Sequence, residues 1–180
     1  MNQKNIILGV SGSIACYKAA EIASYLTQAG HSIHVVMTSS ATEFITPLTF
    51  QTVSRNPVTT GVFDEKESWH PGHIALADSA DLLLVAPATA NILAKLACGI
   101  ADDALTSIAL ASRAPLLIAP AMNGNMWLHP ATQENVERLR SRGAQFAGPS
   151  EGLLACGYEG IGRLLEPHSI CDAALKILTA

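Results

Sequence analysis

The residues best suited to chemistry follow the ends of apolar runs along this chain. Asn123 lies in the segment Pro120–Trp127, directly after the apolar run Pro115–Ala119. Such a run is typical of a buried parallel strand, and in open α/β sheets ligands bind beyond the carboxyl ends of the strands. Asparagine can donate and accept hydrogen bonds, although Asn and Gly are also ordinary turn residues. The segment is therefore a candidate binding turn, with a plain turn as the alternative.

Three other predicted strands also end in small polar residues before a helix. These turns are Ser11–Ser13, Thr38–Ala41 and Thr89–Asn91. Backbone N–H groups and a helix N-terminus together attract an anion, so the first two turns predict a shared phosphate pocket. Asn91 offers donors and an acceptor that suit the edge of a flavin or a base. Helix capping by Ser or Thr is the alternative interpretation of each turn.

The turn after the first strand narrows the class of ligand. Residues 9–13 read Gly-Val-Ser-Gly-Ser, which is not the Gly-x-Gly-x-x-Gly of dinucleotide-binding proteins. The turn is not a P-loop either, because no Gly-Lys-Ser/Thr follows it. A mononucleotide is therefore favoured over a dinucleotide.

A histidine and a cysteine are the candidates for proton transfer. His73 lies at the start of a predicted helix, where it could cap the helix or act as a base, since its unperturbed pKa is about 6.5. A Pro-Gly step separates it from His70, and no acidic or cysteine partner is close in sequence, so we expect no metal site. Cys156 lies in the middle of the Gly-rich segment 148–167, which is typical of a lid or binding loop.

Composition limits the classes of protein. The 180 residues suit one domain, and 49% of them are apolar while only 14% are charged. So few charges favour subunit interfaces on the surface. The formal net charge of −4 without a basic run argues against a nucleic-acid surface. The sequence contains no uninterrupted apolar run of about 18 residues, so we expect no membrane span.

Cysteine usage and the start of the chain bear on the compartment. The four cysteines form no Cys-x-x-Cys pair and suit neither a zinc site nor a small disulfide framework. Most of them are expected to be small buried hydrophobic residues, and burial is least expected for Cys156. No secretory signal pattern precedes the first strand, and we expect a cytoplasmic protein.

Strands and helices alternate along the sequence. The predicted strands are 5–10, 32–37, 58–63, 81–86, 115–119 and 144–147. The predicted helices are 14–29, 46–54, one ending near 97, 102–111, 130–142 and 169–178. Residues 64–72 are charged and predict a surface loop. This order is typical of an α/β fold with a parallel sheet.

Six motifs occur together in one order. They are Gly-Val-Ser-Gly-Ser-Ile-Ala-x-Tyr-Lys at 9–18, Met-Thr-Ser-Ser-Ala-Thr-Glu-Phe-Ile-Thr-Pro-Leu at 37–48, His-Ile-x-Leu at 73–76, Ala-Pro-Ala-Thr-Ala-Asn at 86–91, Pro-Ala-Met-Asn-x-x-Met-Trp at 120–127, and Ala-Cys-Gly-x-x-Gly-x-Gly-Arg at 155–163. Over almost its whole length the chain resembles the homo-oligomeric flavin-containing cysteine decarboxylases, in particular those acting on 4′-phosphopantothenoylcysteine. The Pro-Ala-Met-Asn and Ala-Cys-Gly motifs are the most specific.

The resemblance implies a fold, a cofactor and an assembly. The fold is α/β, a Rossmann-like flavoprotein fold of three layers with a central parallel sheet, and residues 1–180 form a single FMN-binding decarboxylase domain. The cofactor is FMN. The assembly is a homotrimer, often built into a dodecamer, with the active site between subunits, in agreement with the low surface charge.

The resemblance also implies site residues, matched position by position. The cofactor-binding positions are Gly12, Ser13 and Ile14, then Ser39 and Ser40, then Thr89, Ala90, Asn91 and Ile92, then Ala121 and Met122. His73 matches the active-site histidine, Asn123 matches the residue that holds the substrate carboxylate, and Cys156 matches the cysteine that donates the last proton.

The implied reaction is the decarboxylation of 4′-phosphopantothenoylcysteine to 4′-phosphopantetheine in coenzyme A biosynthesis. Oxidation of the CH₂–SH group by FMN gives a thioaldehyde, whose C=S accepts electrons as CO₂ leaves and an enethiolate forms. Reduced FMN then returns the hydride, so the cofactor carries the hard step. An amide at position 123 orients a carboxylate without neutralising it as an arginine would.

Two departures and three alternatives accompany the resemblance. Tyr158 stands where the family loop usually has Asp. Many bacterial relatives carry a second domain, so the chain is either a stand-alone decarboxylase or half of a longer protein. The alternatives are a peptidyl-cysteine decarboxylase, a flavin prenyltransferase, which is expected to lack the Asn123 motif, and a non-catalytic flavin-fold regulatory subunit.

Overall fold

A five-stranded parallel sheet forms the centre of the chain in the computed structural model, which describes residues 2–62 and 72–179. The strands are β1 (Asn5–Val10), β2 (Ser32–Met37), β3 (Leu82–Ala88), β4 (Leu116–Pro120) and β5 (Gln145–Phe146). Their order is β2-β1-β3-β4-β5, and every neighbouring pair is parallel. Every residue of β3 is buried, as in a strand covered on both faces. The predicted α/β fold with a central parallel sheet is confirmed.

Helices cover both faces of this sheet and produce three layers. They are α1 (Cys16–Gln28), α2 (Ser39–Thr42), α3 (Pro47–Ser54), α4 (Gly72–Ser79), α5 (Ala90–Cys98), α6 (Ala104–Ala111), α7 (Gly124–Leu128), α8 (Pro130–Ser141) and α9 (Pro167–Leu178). Alternate residues of a strand point to opposite faces. Thus Ile6 and Leu8 pack with residues of α1, α3 and α9, whereas Ile7 packs with residues of α5, α6 and α8.

None of the helices in the described ranges combines the length and the apolar composition needed to cross a bilayer.

The Gly-rich segment differs most from its prediction. It forms an antiparallel hairpin of β6 (Ser150–Leu153) and β7 (Glu159–Arg163), where a loop was expected. Four glycines of the segment, at 148, 152, 157 and 162, have positive φ angles. These conformations suit glycine, so the same residues that suggested a loop shape a twisted hairpin.

Two further predictions need correction. The strand expected at 58–63 is reduced to an isolated bridge between Thr59 and Val36, with residue 63 outside the described residues. The short helix α7 was not expected, because a strand end followed by Asn and Gly reads as a plain turn. The loop expected at 64–72 and the position of His70 lie outside the described residues, except that Gly72 begins α4.

The cysteines divide into two pairs. Cys16 and Cys171 are buried, while Cys98 and Cys156 are exposed. The expectation that most are buried is therefore wrong, because Cys98 ends α5 and faces Arg138, whose Nη1 lies 3.9 Å from its sulfur. Burial raises the pKa of the Cys16 thiol and raises that of Cys171 to about 12.

Candidate functional site

The polar turns meet at the carboxyl edge of the sheet, as predicted. Ser11 N–H and its hydroxyl both donate to the Pro87 carbonyl, at 3.3 and 2.8 Å. Thr38 N–H donates to the Val10 carbonyl at 3.0 Å, and Ala121 N–H donates to the Ala88 carbonyl at 3.0 Å. The ends of β1, β2, β3 and β4 are thus bonded to one another.

The first two turns are in direct contact. Gly12 packs so closely against Ser40 that a Cβ at position 12 would overlap the Ser40 Cβ. Glycine is therefore required here by the approach of the α2 backbone. The contact places the backbone of 12–14 beside Ser39 and Ser40, as a shared phosphate pocket needs.

Helix capping explains the third turn but not the first two. Thr89 Oγ1 accepts the Ile92 N–H at 3.4 Å and caps α5, while the Ser11 hydroxyl accepts the Thr89 N–H at 3.1 Å. By contrast, no side chain caps α1 at Ala15 or α2 at Thr38. At α1 the Cys16 N–H donates to the Ser13 carbonyl at 2.9 Å and the Ala15 N–H donates to the Ser13 hydroxyl at 3.3 Å. The Ser39 and Ser40 N–H groups at the start of α2 have no acceptor within the described ranges and can bind an anion.

Two buried polar side-chain atoms in the described ranges have no hydrogen-bond partner, Thr38 Oγ1 and His73 Nδ1. An unsatisfied buried donor or acceptor costs about 1–3 kcal/mol. Thr38 lies between Val10 and Ser39, beside the uncapped helix starts. Its hydroxyl therefore fits a ligand phosphate, and it was missing from the predicted site because Thr at a strand end reads as a cap.

Asn123 is held in one orientation at the start of α7. Its Oδ1 accepts the Asn125 N–H at 2.9 Å, and its Nδ2 lies 3.5 Å from Cys156 Sγ. Because the amide oxygen is occupied, the NH₂ group is the side that faces the cysteine. The structure thus brings together two residues that lie 33 positions apart in the sequence.

The β6–β7 hairpin is docked on the Asn123 turn. Met122 N–H donates to the Gly162 carbonyl at 2.9 Å. Gly162 has φ of +127°, and a Cβ there would overlap the Met122 carbonyl oxygen. A Cβ on Gly124 would lie 2.8 Å from the Ile161 oxygen and 3.5 Å from the Tyr158 hydroxyl. The hairpin, with Tyr158 folded back on α7, therefore closes over the end of β4.

A cleft of about 670 Å³ lies between α1, the Asn123 turn and the hairpin. Of the predicted site residues it is lined by Ser13, Ile14, Ala121, Met122, Asn123 and Cys156. Gly12, Ser39, Ser40, Thr89, Ala90, Asn91 and Ile92 lie at the same sheet edge but do not line it, and Ile92 is buried in the core. A cavity of about 500 Å³ between α5, α6 and α8 contains none of the predicted site residues.

His73 stands apart from the cleft within one chain. It lies in the first turn of α4, half-buried, and is not among the residues lining the cleft. Helix α4 packs on α6, where the Ser112 hydroxyl donates to the Ala77 carbonyl at 3.3 Å. Within the described residues of one chain, His73 therefore does not line the cleft that holds Asn123 and Cys156.

Two cations in the cleft wall were not assigned from the sequence. Lys18 Nζ lies 3.2 Å from Glu166 Oε2, and Arg163 Nη2 lies 2.7 Å from Glu166 Oε1. The hydrogen bond from Lys18 lowers the pKa of the Glu166 carboxyl. The available signal was their position, because each is the last residue of a motif, at 9–18 and 155–163.

Residues 1–179 match the family described as Flavoprotein. The chain belongs to the Flavoprotein family. It is 53% identical over 176 residues to the coenzyme A biosynthesis bifunctional protein CoaBC of Bacillus subtilis, covering 98% of this chain and 43% of that protein. This flavoprotein chain thus spans less than half the length of that relative.

Solved structures of flavoproteins match nearly all of the chain. A cysteine-to-serine mutant of PPC decarboxylase complexed with pantothenoylaminoethenethiol has a TM-score of 0.90 and 31% identity, covering 99% of this chain and 100% of that one. The FMN-dependent cysteine decarboxylase SpaF has a TM-score of 0.86 and 36% identity, covering 99% of this chain and 98% of that one. The Rossmann-like flavoprotein fold expected from the motifs is thereby confirmed.

Proposed function

We propose that residues 1–180 form one FMN-binding decarboxylase domain that converts 4′-phosphopantothenoylcysteine to 4′-phosphopantetheine in coenzyme A biosynthesis. The observation that carries the proposal is the contact between Asn123 Nδ2 and Cys156 Sγ in the cleft. An oriented amide donor and a thiol at one point suit a substrate with a carboxylate to lose and a carbon to protonate. The names of the similar proteins support the same reaction.

The residues at the sheet edge fit the proposed FMN. The close contact of Gly12 with Ser40 brings the backbones of the first two turns together at the place proposed for its phosphate. The Thr38 hydroxyl, which has no partner within the described ranges, can donate to this phosphate. Ser13, Ile14, Ser39 and Ser40 surround this point, while residues 89–92, Ala121 and Met122 follow the next two strands towards the cleft. When bound, the flavin supplies the reversible two-electron oxidation of the CH₂–SH carbon that makes loss of CO₂ feasible.

Asn123 and Cys156 have separate tasks in this reaction. Asn123 Nδ2 would donate to the substrate carboxylate and hold it in place. Because the amide is neutral, the carboxylate keeps its negative charge until neutral CO₂ leaves and the electron pair stays on the substrate. Cys156 Sγ carries the proton that reaches the product carbon. The Asn123 NH₂ group, 3.5 Å from that sulfur, then stabilises the thiolate that remains.

We further propose a homotrimer, built into a dodecamer, in which His73 of one protomer completes the cleft of the next as the base for the thiol. Support comes from His73 Nδ1, which has no hydrogen-bond partner within the described ranges, and from the absence of His73 among the described residues that line the cleft of its own chain. Ile14, Tyr17, Phe44 and Leu48 are 53–68% exposed around the carboxyl edge of the sheet and offer apolar surface for a neighbouring subunit. We place the enzyme in the cytoplasm, where its four free thiols remain reduced.

The test is turnover by the FMN-loaded protein, with CO₂ release and product mass measured. We expect conversion of 4′-phosphopantothenoylcysteine, and the Asn123→Asp variant should lose at least about a hundredfold in kcat, because a carboxylate there repels that of the substrate. Asn125→Asp is the matched control and should remain active, since the exposed Asn125 side chain makes no hydrogen bond within the described structure.

A second variant tests the proton donor. Cys156→Ser should release CO₂ but form little 4′-phosphopantetheine, because a serine hydroxyl is a much weaker acid than a thiol. Normal product output from this variant would remove Cys156 from its role. Turnover of a peptide with a C-terminal cysteine, and of no pantothenoyl substrate, would replace the proposed function by peptidyl-cysteine decarboxylation.

A further inference from the structure

The charges in the cleft are distributed unevenly. Among the described residues that line it, only Lys18 and Arg163 are charged, and both are cations. Asn123 Nδ2 bonds to Cys156 Sγ and Asn123 Oδ1 accepts the Asn125 N–H, and within the described structure neither side chain bonds to either cation. The cleft therefore has a reactive part around the uncharged Asn123 amide and a separate cationic part.

Glu166 holds the two cations side by side. Its side chain is 57% exposed. Lys18 Nζ lies 3.3 and 3.2 Å from its two oxygens and Arg163 Nη2 lies 2.7 Å from Oε1, so the three side chains carry a net charge of +1. The Lys18 side chain is only 12% exposed, which keeps its ammonium at the cleft wall. Glu166 directly precedes α9, and its side chain does not cap the helix but bonds to the two cations.

Arg163 retains unused donors in a fixed orientation. Its guanidinium lies over Gly152, where a Cβ would be 3.3 Å from Nη1. Only Nη2 has an acceptor within the described part of the chain, the Glu166 carboxylate at 2.7 Å. The Nε and Nη1 groups each keep an N–H that can donate to a phosphate oxygen.

We propose that Lys18 and Arg163 form the subsite for the terminal phosphate monoester of the substrate, an inference that rests on the proposed function. A phosphate monoester carries a charge of about −1.5 to −2 at pH 7 and needs cations. The substrate carboxylate must keep its charge until CO₂ leaves and needs a neutral donor. Because Asn123 and the two cations lie in separate parts of one cleft, the cleft can bind the carboxylate and the phosphate of the same substrate molecule.

The phosphate of FMN has the same chemistry and is the competing occupant. Lys18 lies on α1 only four residues beyond Ile14, so it must be tested against both phosphates. The assignment to the substrate rests on location, because Lys18 and Arg163 line the cleft of Cys156 and Asn123. Of the residues placed around the FMN phosphate, Ser13 and Ile14 also line this cleft, whereas Gly12, Ser39 and Ser40 do not.

The experiment compares two substrates in the FMN-loaded enzyme, 4′-phosphopantothenoylcysteine and pantothenoylcysteine, by the ratio of their kcat/KM values. In Arg163→Gln and Lys18→Gln this preference for the phosphorylated substrate should fall about tenfold or more, the worth of one charge-assisted hydrogen bond. Arg163→Lys should retain part of it. Arg140→Gln is the matched control, since Arg140 forms the same i,i+3 pair with Glu137, at 2.8 Å, away from the cleft.

Three outcomes would overturn the subsite. They are an unchanged preference, an equal loss for both substrates, and a loss of FMN affinity that accounts for the whole effect. Titration calorimetry with 4′-phosphopantetheine and pantetheine provides an assay that does not depend on turnover. If wild type decarboxylates neither substrate yet binds the phosphorylated ligand more tightly through Arg163, the proposed function fails and the subsite stands. Equal binding of both ligands would remove the subsite, whatever the turnover.

Discussion

The turns after β2 and β3 look alike in sequence and differ in structure. Each places a threonine and small polar residues between a buried strand and a helix. Thr89 Oγ1 caps α5, and the Thr89 N–H donates to the Ser11 hydroxyl, so these polar groups are satisfied within the chain. Thr38 caps nothing, and its buried hydroxyl has no partner in the described ranges. One turn is closed by its own side chains and the other is open to a ligand.

The closed turn at Thr89 and the open turn at Thr38 should respond differently to mutation. A closed turn contributes its hydrogen bonds to the stability of the chain alone, so its loss should lower the free energy of unfolding with or without FMN. An open turn leaves donors unsatisfied until an anion binds, so its alteration should affect FMN affinity far more than stability. The two turns can therefore be separated by measuring both quantities on each variant.

The largest expected effect comes from closing the open turn with bulk. In Gly12→Val the new side chain overlaps Ser40 and pushes the first two turns apart. We expect FMN affinity, measured by flavin fluorescence quenching, to fall at least about a hundredfold, which corresponds to about 2.7 kcal/mol. A folded variant, by circular dichroism, that still binds FMN normally would show that this pocket does not hold the cofactor.

The next effect is expected at a closed helix start, the Asp103 cap of α6. Its carboxylate accepts the Thr106 N–H at 2.8 Å and pairs with Lys95 at 3.1 Å, while the Thr106 hydroxyl accepts the Asp103 N–H. We expect Asp103→Ala to lower the free energy of unfolding by about 1–2 kcal/mol, by urea denaturation, with FMN affinity retained. Asp102→Ala is the control, since Asp102 also pairs with Lys95 but caps no helix.

The same cap has a pH dependence of defined sign. Burial opposes ionisation of Asp103, but hydrogen bonds from Thr106 and Lys95 prevail and lower its pKa. The folded pKa therefore lies below the unfolded value of about 3.9. The contribution is fully present well above the unfolded pKa and is lost as pH falls through the folded pKa. The difference in stability between wild type and Asp103→Ala should accordingly shrink in acid, and a difference that stays constant would contradict the assignment.

The parts of the fold that were predicted from sequence depend on local signals. β1 and β2 have the predicted bounds, because each is a short apolar run between polar residues. The β6–β7 hairpin was missed because its glycines give the same signal in a loop and in a twisted strand. The strand expected at 58–63 is wrong because, within the described residues, this stretch forms an isolated bridge between Thr59 and Val36 of β2, which the composition of the segment does not predict.

The candidate site shows the same limit. Strand ends of a parallel sheet must meet at one edge, so the sequence alone placed the turns of Gly12, Ser40, Thr89 and Asn123 together. It could not tell which hydroxyls act as caps, because that depends on the dihedral angles of each helix start. Nor could it pair Lys18 and Arg163 through Glu166, which needs α1 and α9 to lie side by side.

A smaller effect is expected at the closed turn itself. Thr89→Val removes the acceptor for Ile92 N–H and a partner of the Ser11 hydroxyl, which lies 3.4 Å from Thr89 Oγ1. We expect a loss of about 1 kcal/mol in the free energy of unfolding of the apoprotein. The loss should be the same in the FMN complex if this hydroxyl only caps α5. A greater loss in the complex would show that Thr89 also contacts the flavin.

The smallest effect on stability is expected at Thr38, where the two turns differ most. Thr38→Val keeps the shape of the side chain and removes a buried hydroxyl that has no partner within the described ranges, so the apoprotein should unfold at the same urea concentration or a higher one. FMN affinity should nevertheless fall about tenfold, because the phosphate loses one donor. Thr42→Val is the control on α2, since that hydroxyl is already satisfied by the Ser39 carbonyl at 2.7 Å. A destabilised Thr38→Val apoprotein with unchanged FMN affinity would mean that Thr38, like Thr89, serves only its own chain.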